Sequence, residues 1–259
     1  VTDDARAIRS LILRASERAH KGHIASALSI VEMLLACELE HPGILDPDHS
    51  DSLVLSKGHA ALTLYSLMNL RGYLTDTQFD TYSSNGSLLG THPPPSLPSV
   101  GFGSGSLGQG LSVAVGRAVG NRMQGGTART LCIMSDAEIN EGSTWEAILL
   151  AAHLQLGQLA VLVDMNGLQA LGATDHILRT TGFSGACSSL GWTVIEVDGH
   201  DVRAIRNALN TAGSKHPLLL VCETTGGKGV SFMEGKFEWH YLPMDADQFQ
   251  RALAEVENA

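Results

Sequence analysis

The chain has 259 residues, enough to bury a large core as one big α/β domain or two small ones. Its formal net charge of −10, from 27 acidic against 17 basic residues, argues against nucleic acid as the main partner, because no basic patch stands ready to neutralise phosphates. Hydrophobic content of 44%, charged content of 17% and a mean hydropathy of +0.07 describe an ordinary interior under an unusually uncharged surface, which either a large buried sheet or a covering partner chain would explain.

The N-terminal stretch VTDDARAIRSLILRA is acidic, then amphipathic, and does not read as a signal peptide. No apolar run reaches the ~18 residues of a membrane span, so a cytoplasmic location is the default expectation. Helices are predicted at 2–19, 26–40, 59–71 and 76–84. Residues 85–108 then form a Gly/Pro/Ser-rich loop, and a structureless loop of that length is usually functional or disordered. A helix follows at 109–122. Four short apolar runs come next, at 130–134, 159–163, 193–197 and 218–222, with helices at 141–156 and 201–212 between them. That alternation predicts crossovers and a mostly parallel sheet with helices on both faces. The tail from Pro243 reads as one terminal amphipathic helix. Cys37, Cys132, Cys187 and Cys222 lie far apart and form no CxxC, so neither a zinc ribbon nor a redox pair is supported.

Within the loop, Gly103-x-Gly105-x-x-Gly108 has the spacing of a dinucleotide fingerprint. The fingerprint needs a strand before it and an acid about 20 residues after it. The lead-in THPPPSLPSV contains four prolines, which exclude a central strand, and no Asp or Glu occurs from Gln109 through Ser135. The glycines therefore signal tight turns or close approach of backbone to something other than a dinucleotide.

Two polar residues end successive strand runs: Asp136 in TLCIMSD and Asn166 in LAVLVDMN. Adjacent parallel strands would bring both to one rim of the sheet, outside the carboxyl ends where ligands bind. A carboxylate, an amide oxygen and a nearby carbonyl make a hard half-shell suited to Mg²⁺ and a phosphate. The helix starting near Glu141 would aim its N-terminus at the same place. A capping role for Asp136 and a turn role for Asn166 are the plain alternatives.

SDAEINEGSTWEA, followed 19 residues later by Asn, resembles the thiamine diphosphate motif of transketolases. KGHIASALSIVEML, LSKGHAALTLYSLMNLRGY, GTHPP, GSGSLGQGLSVAVG, EVDGHD and KGVSFMEGKFEWH resemble further transketolase blocks, in family order and over most of the chain. The resemblance implies residues 1–259 as a single thiamine diphosphate- and Mg²⁺-binding domain of the thiamin diphosphate-binding (PP) fold. It implies Asp136, Asn166 and the carbonyl of Leu168 as ligands of Mg²⁺, or of Ca²⁺ or Mn²⁺ in its place. It implies His59, Gly105, Ser106, Leu107, Asp136, Ala137, Glu138, Glu141 and Asn166 around the cofactor, with Glu141 facing the partner's cofactor-activating glutamate. His23, His59, His92 and His240 match the family's active-site histidines. His23 and His240 would handle protons at the acceptor, and His59 and His92 would hold the donor's hydroxyls. Imidazole suits such work because it titrates near neutral pH.

The sequence departs from the family pattern at Ser135-Asp136-Ala137, where Gly-Asp-Gly is usual, and at Thr91 before His92, where glycine is common. Alanine at 137 costs little if φ is negative there and more if it is positive. The resemblance implies that the family's pyrimidine-binding and C-terminal domains are to be expected on a partner chain. A C-terminal transketolase subunit, in an α₂β₂ assembly, is the expected partner, and the chain alone is expected to be inactive. The implied activity is transfer of a two-carbon ketol unit from a ketose or ketose phosphate to an aldehyde or specialised-metabolite acceptor. A deoxyxylulose phosphate synthase-like or 2-oxoacid decarboxylase activity, and a non-catalytic scaffold, stand as the alternatives.

Overall fold

A computed structural model describes residues 2–98, 100, 102–212 and 215–258. Val1, Gly213, Ser214 and Ala259, and Ser99 and Gly101 of the expected loop, lie outside the described residues.

The N-terminal third is helical: α1 (Thr2–Ala19), α2 (Ile24–Ser29) and α3 (Val31–Glu40), then strand β1 (Ser52–Leu55), α4 (Ala61–Leu70) and α5 (Asp76–Asp80). After the loop come α6 (Gly110–Met123), β2 (Thr130–Ser135), α7 (Gly142–His153) and β3 (Leu159–Met165). A two-stranded hairpin of β4 (Leu168–Gln169) and β5 (Gly172–Ala173) follows, then α8 (Thr174–Ile177) and α9 (Phe183–Leu190). The chain closes with β6 (Thr193–Asp198), α10 (Val202–Leu209), β7 (Leu218–Glu223) and α11 (Ala246–Glu257).

The main sheet is parallel throughout, in the order β1-β2-β3-β7-β6. Its central strands are buried on both faces, and their side chains alternate between two cores. Leu131, Ile133, Ala160, Leu162, Leu218 and Leu220 join the core under α1, α3, α4 and α10. Cys132, Met134, Val161, Val163, Leu219 and Val221 join the core under α6, α7 and α9. The expected parallel sheet covered on both faces is what the chain forms.

Several boundaries differ from expectation. The helix predicted at 26–40 breaks at Ile30, whose φ of −105° and ψ of 12° are not helical. At the break, the Ser29 hydroxyl turns to the Ser26 carbonyl and the Asp164 carboxylate. The helix predicted at 76–84 ends at Asp80, after a Thr75/Gln78 capping box opens it. Strand β1 was not predicted. Its run SLVL is only four residues long and continues directly into Ser-Lys-Gly-His. The hairpin and α9 were also missed. Helix α9 buries only Phe183 and Cys187 and has left-handed glycines, Gly182 and Gly191, at both ends. Among the described residues no helix is long and apolar enough to cross a membrane.

Candidate functional site

The register of the sheet builds the site. Ser135 pairs with Asp164 across β2 and β3, so Asp136 and Asn166 emerge side by side just past the carboxyl ends. His59 follows β1, and Thr224 follows β7, so both belong to the same rim. A cavity of about 380 Å³ opens there. His23, His59, His92, His240, Gly105, Leu107, Ala137, Asn166 and Leu168 all line it, together with Lys57, Ser26 and Tyr241. Ser106, Asp136, Glu138 and Glu141 are not on its wall: Ser106 and Glu141 are exposed, and Asp136 and Glu138 lie buried behind it.

Four imidazoles face one another across this space. Ring centroids lie 5.0 Å apart for His23 and His240, 5.1 Å for His59 and His240, 5.5 Å for His23 and His59, and 6.0 Å for His23 and His92. Burial pushes His23 and His240 down to about 4, and the neighbouring imidazoles and Lys57 add to the effect. His59 is held well below the usual histidine range by the same causes, and His92 is lowered by burial. All four are therefore neutral at pH 7.

His23 is placed by a strained backbone. Its φ is 63° at the start of α2, and its N–H donates to the His240 carbonyl at 2.9 Å. Gly22 makes that docking possible, because a Cβ there would overlap the Tyr241 carbonyl. His23 Nδ1 is buried without a partner, whereas His240 Nδ1 lies 3.3 Å from the Ser26 hydroxyl. Thr91, the departure next to His92, sets its hydroxyl 3.4 Å from His92 Nδ1.

The glycine-rich loop divides its labour. Only Gly105 is on the cavity wall, with the His92 ring 3.6 Å from where its Cβ would be. Gly103 is pressed against Pro95, Gly110 against Ser56, and Gly108, with φ of 79°, against Glu141. Three of these four glycines therefore serve close packing within the protein, and Gly105 alone of the four brings backbone to the cavity.

Two buried carboxylates sit on the short 3₁₀ turn Asp136–Asn140. Glu138 accepts from Ser56 Oγ, from the N–H of Gly108 at 3.0 Å, and from Ser135 through its N–H at 2.8 Å and its hydroxyl at 3.3 Å. With Ser135 it forms a capping box, so the serine where the family has glycine is used to tie down the turn. The signal S-x-x-E was readable in the sequence and was overlooked. Ser135 has φ of −95°, and Ala137 is not among the residues with positive φ, so neither position demands glycine.

Asp136 is 1% exposed. One oxygen accepts from the Gly167 N–H at 3.0 Å and the Thr174 hydroxyl at 2.8 Å; the other is buried with no hydrogen-bond partner. Burial, reinforced by the Asp164 carboxylate, pushes the Asp136 carboxyl up to about 6. A bare carboxylate oxygen beside the Asn166 amide and the Leu168 backbone fits a hard cation. Among the described residues no three His, Cys, Asp or Glu side chains cluster in a metal-ligating way, so any cation here would depend on amide and carbonyl oxygens.

Sequence reasoning missed Lys57 and Asp164. They form an ion pair, at 1% and 0% side-chain exposure, in which Lys57 lines the cavity and Asp164 does not reach it. Lys57 was visible within SKGH and Asp164 within an apolar run, but neither context signals a charge buried so deeply.

A larger cleft, about 780 Å³, lies beside α1 and α10 and is lined by Arg6, Arg9, Arg203, Arg206 and Lys228. Its cations are largely matched by acids: Arg9 to Glu32 at 2.7 Å, Arg206 to Glu40 at 3.3 Å and Lys228 to Glu234 at 3.8 Å.

Comparison with known proteins identifies the family. Residues 2–256 match the family described as transketolase, thiamine diphosphate binding domain. The chain is 32% identical to one subunit of an apulose-4-phosphate transketolase from Phocaeicola vulgatus, over 96% of this chain and 90% of that protein. It is 33% identical to a 6-deoxy-6-sulfo-D-fructose transketolase subunit from Clostridium sp. (strain MSTE9), over 98% of this chain and 94% of that protein. Among solved structures, a transketolase from Pichia stipitis in complex with sedoheptulose 7-phosphate superposes with a TM-score of 0.92 at 28% identity. The match covers 99% of this chain but only 40% of that one, so the chain spans less than half of the one-piece enzyme. On these matches and the fold, the chain belongs to the transketolase family, as its thiamine diphosphate-binding domain.

Proposed function

We propose that the chain is the thiamine diphosphate-binding subunit of a two-component transketolase, moving a two-carbon ketol unit from a ketose or ketose phosphate to an aldehyde. The observation that carries the reading is the ring of four neutral histidines at the same rim as the bare Asp136 oxygen. Asp136, Asn166 and the Leu168 carbonyl would hold Mg²⁺ and, through it, a diphosphate. Gly105, Leu107 and Ala137 would lie along the cofactor. Bound thiamine diphosphate would supply the carbanion stabilisation that cleavage between C2 and C3 requires.

The chain's own residues do the proton work. An imidazole can take the proton of the acceptor-side hydroxyl in one direction and return it to the acceptor's aldehyde oxygen in the other. His23 and His240 take these roles; Ser26 occupies Nδ1 of His240, so that ring acts through Nε2. His59 and His92 hold the sugar hydroxyls. Glu138 fixes the Ser135–Asp136 corner and the glycine-rich loop rather than touching the cofactor.

A partner subunit fits the open side of the cavity. Leu171 lines the mouth and is 85% exposed, and Leu149, Leu150 and Leu178 are also exposed. Glu141 stands at the exposed start of α7, where an interface acid would meet the partner's glutamate. An α₂β₂ assembly follows by family analogy. Four free, buried cysteines suit a reducing, cytoplasmic setting.

The test is calorimetric titration of thiamine diphosphate with Mg²⁺ into the chain co-expressed with its C-terminal partner, with the chain alone as control. Tight binding that requires both metal and partner is expected. No binding in either sample would overturn the reading in favour of a scaffold, and carbon dioxide release from pyruvate would redirect it to a decarboxylating thiamine enzyme.

A further inference from the structure

Asp164 never reaches the cavity, yet its carboxylate gathers four donors. One oxygen accepts from Lys57 Nζ, from Ser29 Oγ at 2.8 Å and from Asn166 Nδ2 at 2.9 Å. The other accepts from the Thr224 hydroxyl. Lys57 Nζ in turn donates to Ser29 Oγ at 2.9 Å. Five residues from α2, β3 and the segments after β1, β3 and β7 thus meet at one buried carboxylate.

An ionised carboxylate only accepts hydrogen bonds, so the Asn166 group facing Asp164 must be its NH₂. On the other side of the same amide, Oδ1 accepts the Leu168 N–H at 2.9 Å. Both neighbours therefore demand one orientation of the amide and forbid its flip. That orientation turns the oxygen, the only atom of this side chain able to ligate a hard cation, away from Asp164. Lys57 Nζ and Ser29 Oγ meet the same Asp164 oxygen that Asn166 meets, so the pair fixes the acceptor against which the amide is held.

We propose that Lys57 and Asp164 form a positioning pair that locks the Asn166 amide with its oxygen toward the metal site. The inference rests on the metal-binding role of Asn166 proposed above. Removing such an outer partner typically costs 10–100-fold in metal affinity.

The experiment compares the wild type with Asp164→Asn by two readouts. The first is hydrogen-exchange protection of the Asn166 side-chain amide, followed by ¹⁵N NMR on the free chain. The second is Mn²⁺ affinity, read by electron paramagnetic resonance with thiamine diphosphate and the partner subunit present. Asp164→Asn is expected to lose the amide protection and to bind Mn²⁺ at least tenfold more weakly. Since this substitution leaves Lys57 buried and unpaired, Lys57→Met/Asp164→Asn is made alongside it. The double variant is expected to recover its unfolding midpoint but not its Mn²⁺ affinity. Affinity that returns with stability would show a purely structural pair and overturn the proposal, as would an Asn166 amide equally protected without Asp164. A wild type that binds no Mn²⁺ would count against the thiamine reading, and the NMR comparison would then decide this one alone.

Discussion

Glu138 and Asp136 are two residues apart on one turn, and both are buried carboxylates, yet they are in opposite states. Glu138 has both oxygens filled by groups of its own chain. Asp136 has one oxygen filled and one bare. A carboxylate completed within the chain is part of the fold. One left incomplete costs stability until something meets it, which is why the proposed cation is assigned to Asp136 and not to Glu138.

The comparison can be broken most decisively at Asp136. Asp136→Ala is expected to abolish Mg²⁺-dependent binding of thiamine diphosphate in the assembled enzyme while leaving the far-UV circular dichroism unchanged. Full cofactor affinity in that variant would remove the metal assignment. His23→Ala or His240→Ala is expected to slow turnover by about 10²-fold or more while sparing cofactor binding, the usual scale for a lost acid–base group. Weakened binding in calorimetry would instead make these residues cofactor anchors.

Glu138→Ala should show the reverse of Asp136→Ala. It strands the Ser56 hydroxyl and the N–H groups of Gly108 and Ser135, and is expected to cost about 3 kcal/mol in urea unfolding. Acid should act on the cavity in a defined direction. His23 and His240 are depressed to about 4 from 6.5, so below pH 6.5 the unfolded chain takes up protons that the folded chain refuses. Stability from this source is complete above pH 6.5 and is lost as pH falls toward 4. Urea midpoints measured from pH 7 to 4.5 should decline less steeply in His23→Gln/His240→Gln than in the wild type. The smallest effect is expected at Ser135→Gly, which removes the serine hydroxyl's part in the capping box but keeps the backbone bond to Glu138. It should cost about 0.5–1.5 kcal/mol, the net worth of a single such bond.

The sheet was legible because its strands are short, apolar and separated by helices of matching period. Asp136 and Asn166 were legible as a pair because successive parallel strands put their ends together. The order β3-β7-β6, which carries Thr224 to Asp164, was not, since nothing local in TVIEV or LLLVC says which run takes the inner place. Lys57 and Asp164 were hidden for a related reason. Each looks costly to bury alone, and only the fold shows that they are buried together. The glycines at 103, 108 and 110 were visible as a cluster, but their partners, Pro95, Glu141 and Ser56, come from three separate segments.

The exposed leucine at the mouth of the cavity has a consequence for how such a protein is made. If the proposed partner subunit covers Leu171, the chain without it leaves an apolar side chain 85% exposed at the mouth of the cavity. Synthesis of the proposed partner alongside this chain is then expected to favour its solubility. Surplus copies would be expected to cling to one another or be cleared by proteases, so overproduction of the isolated chain should give inclusion bodies that co-production relieves.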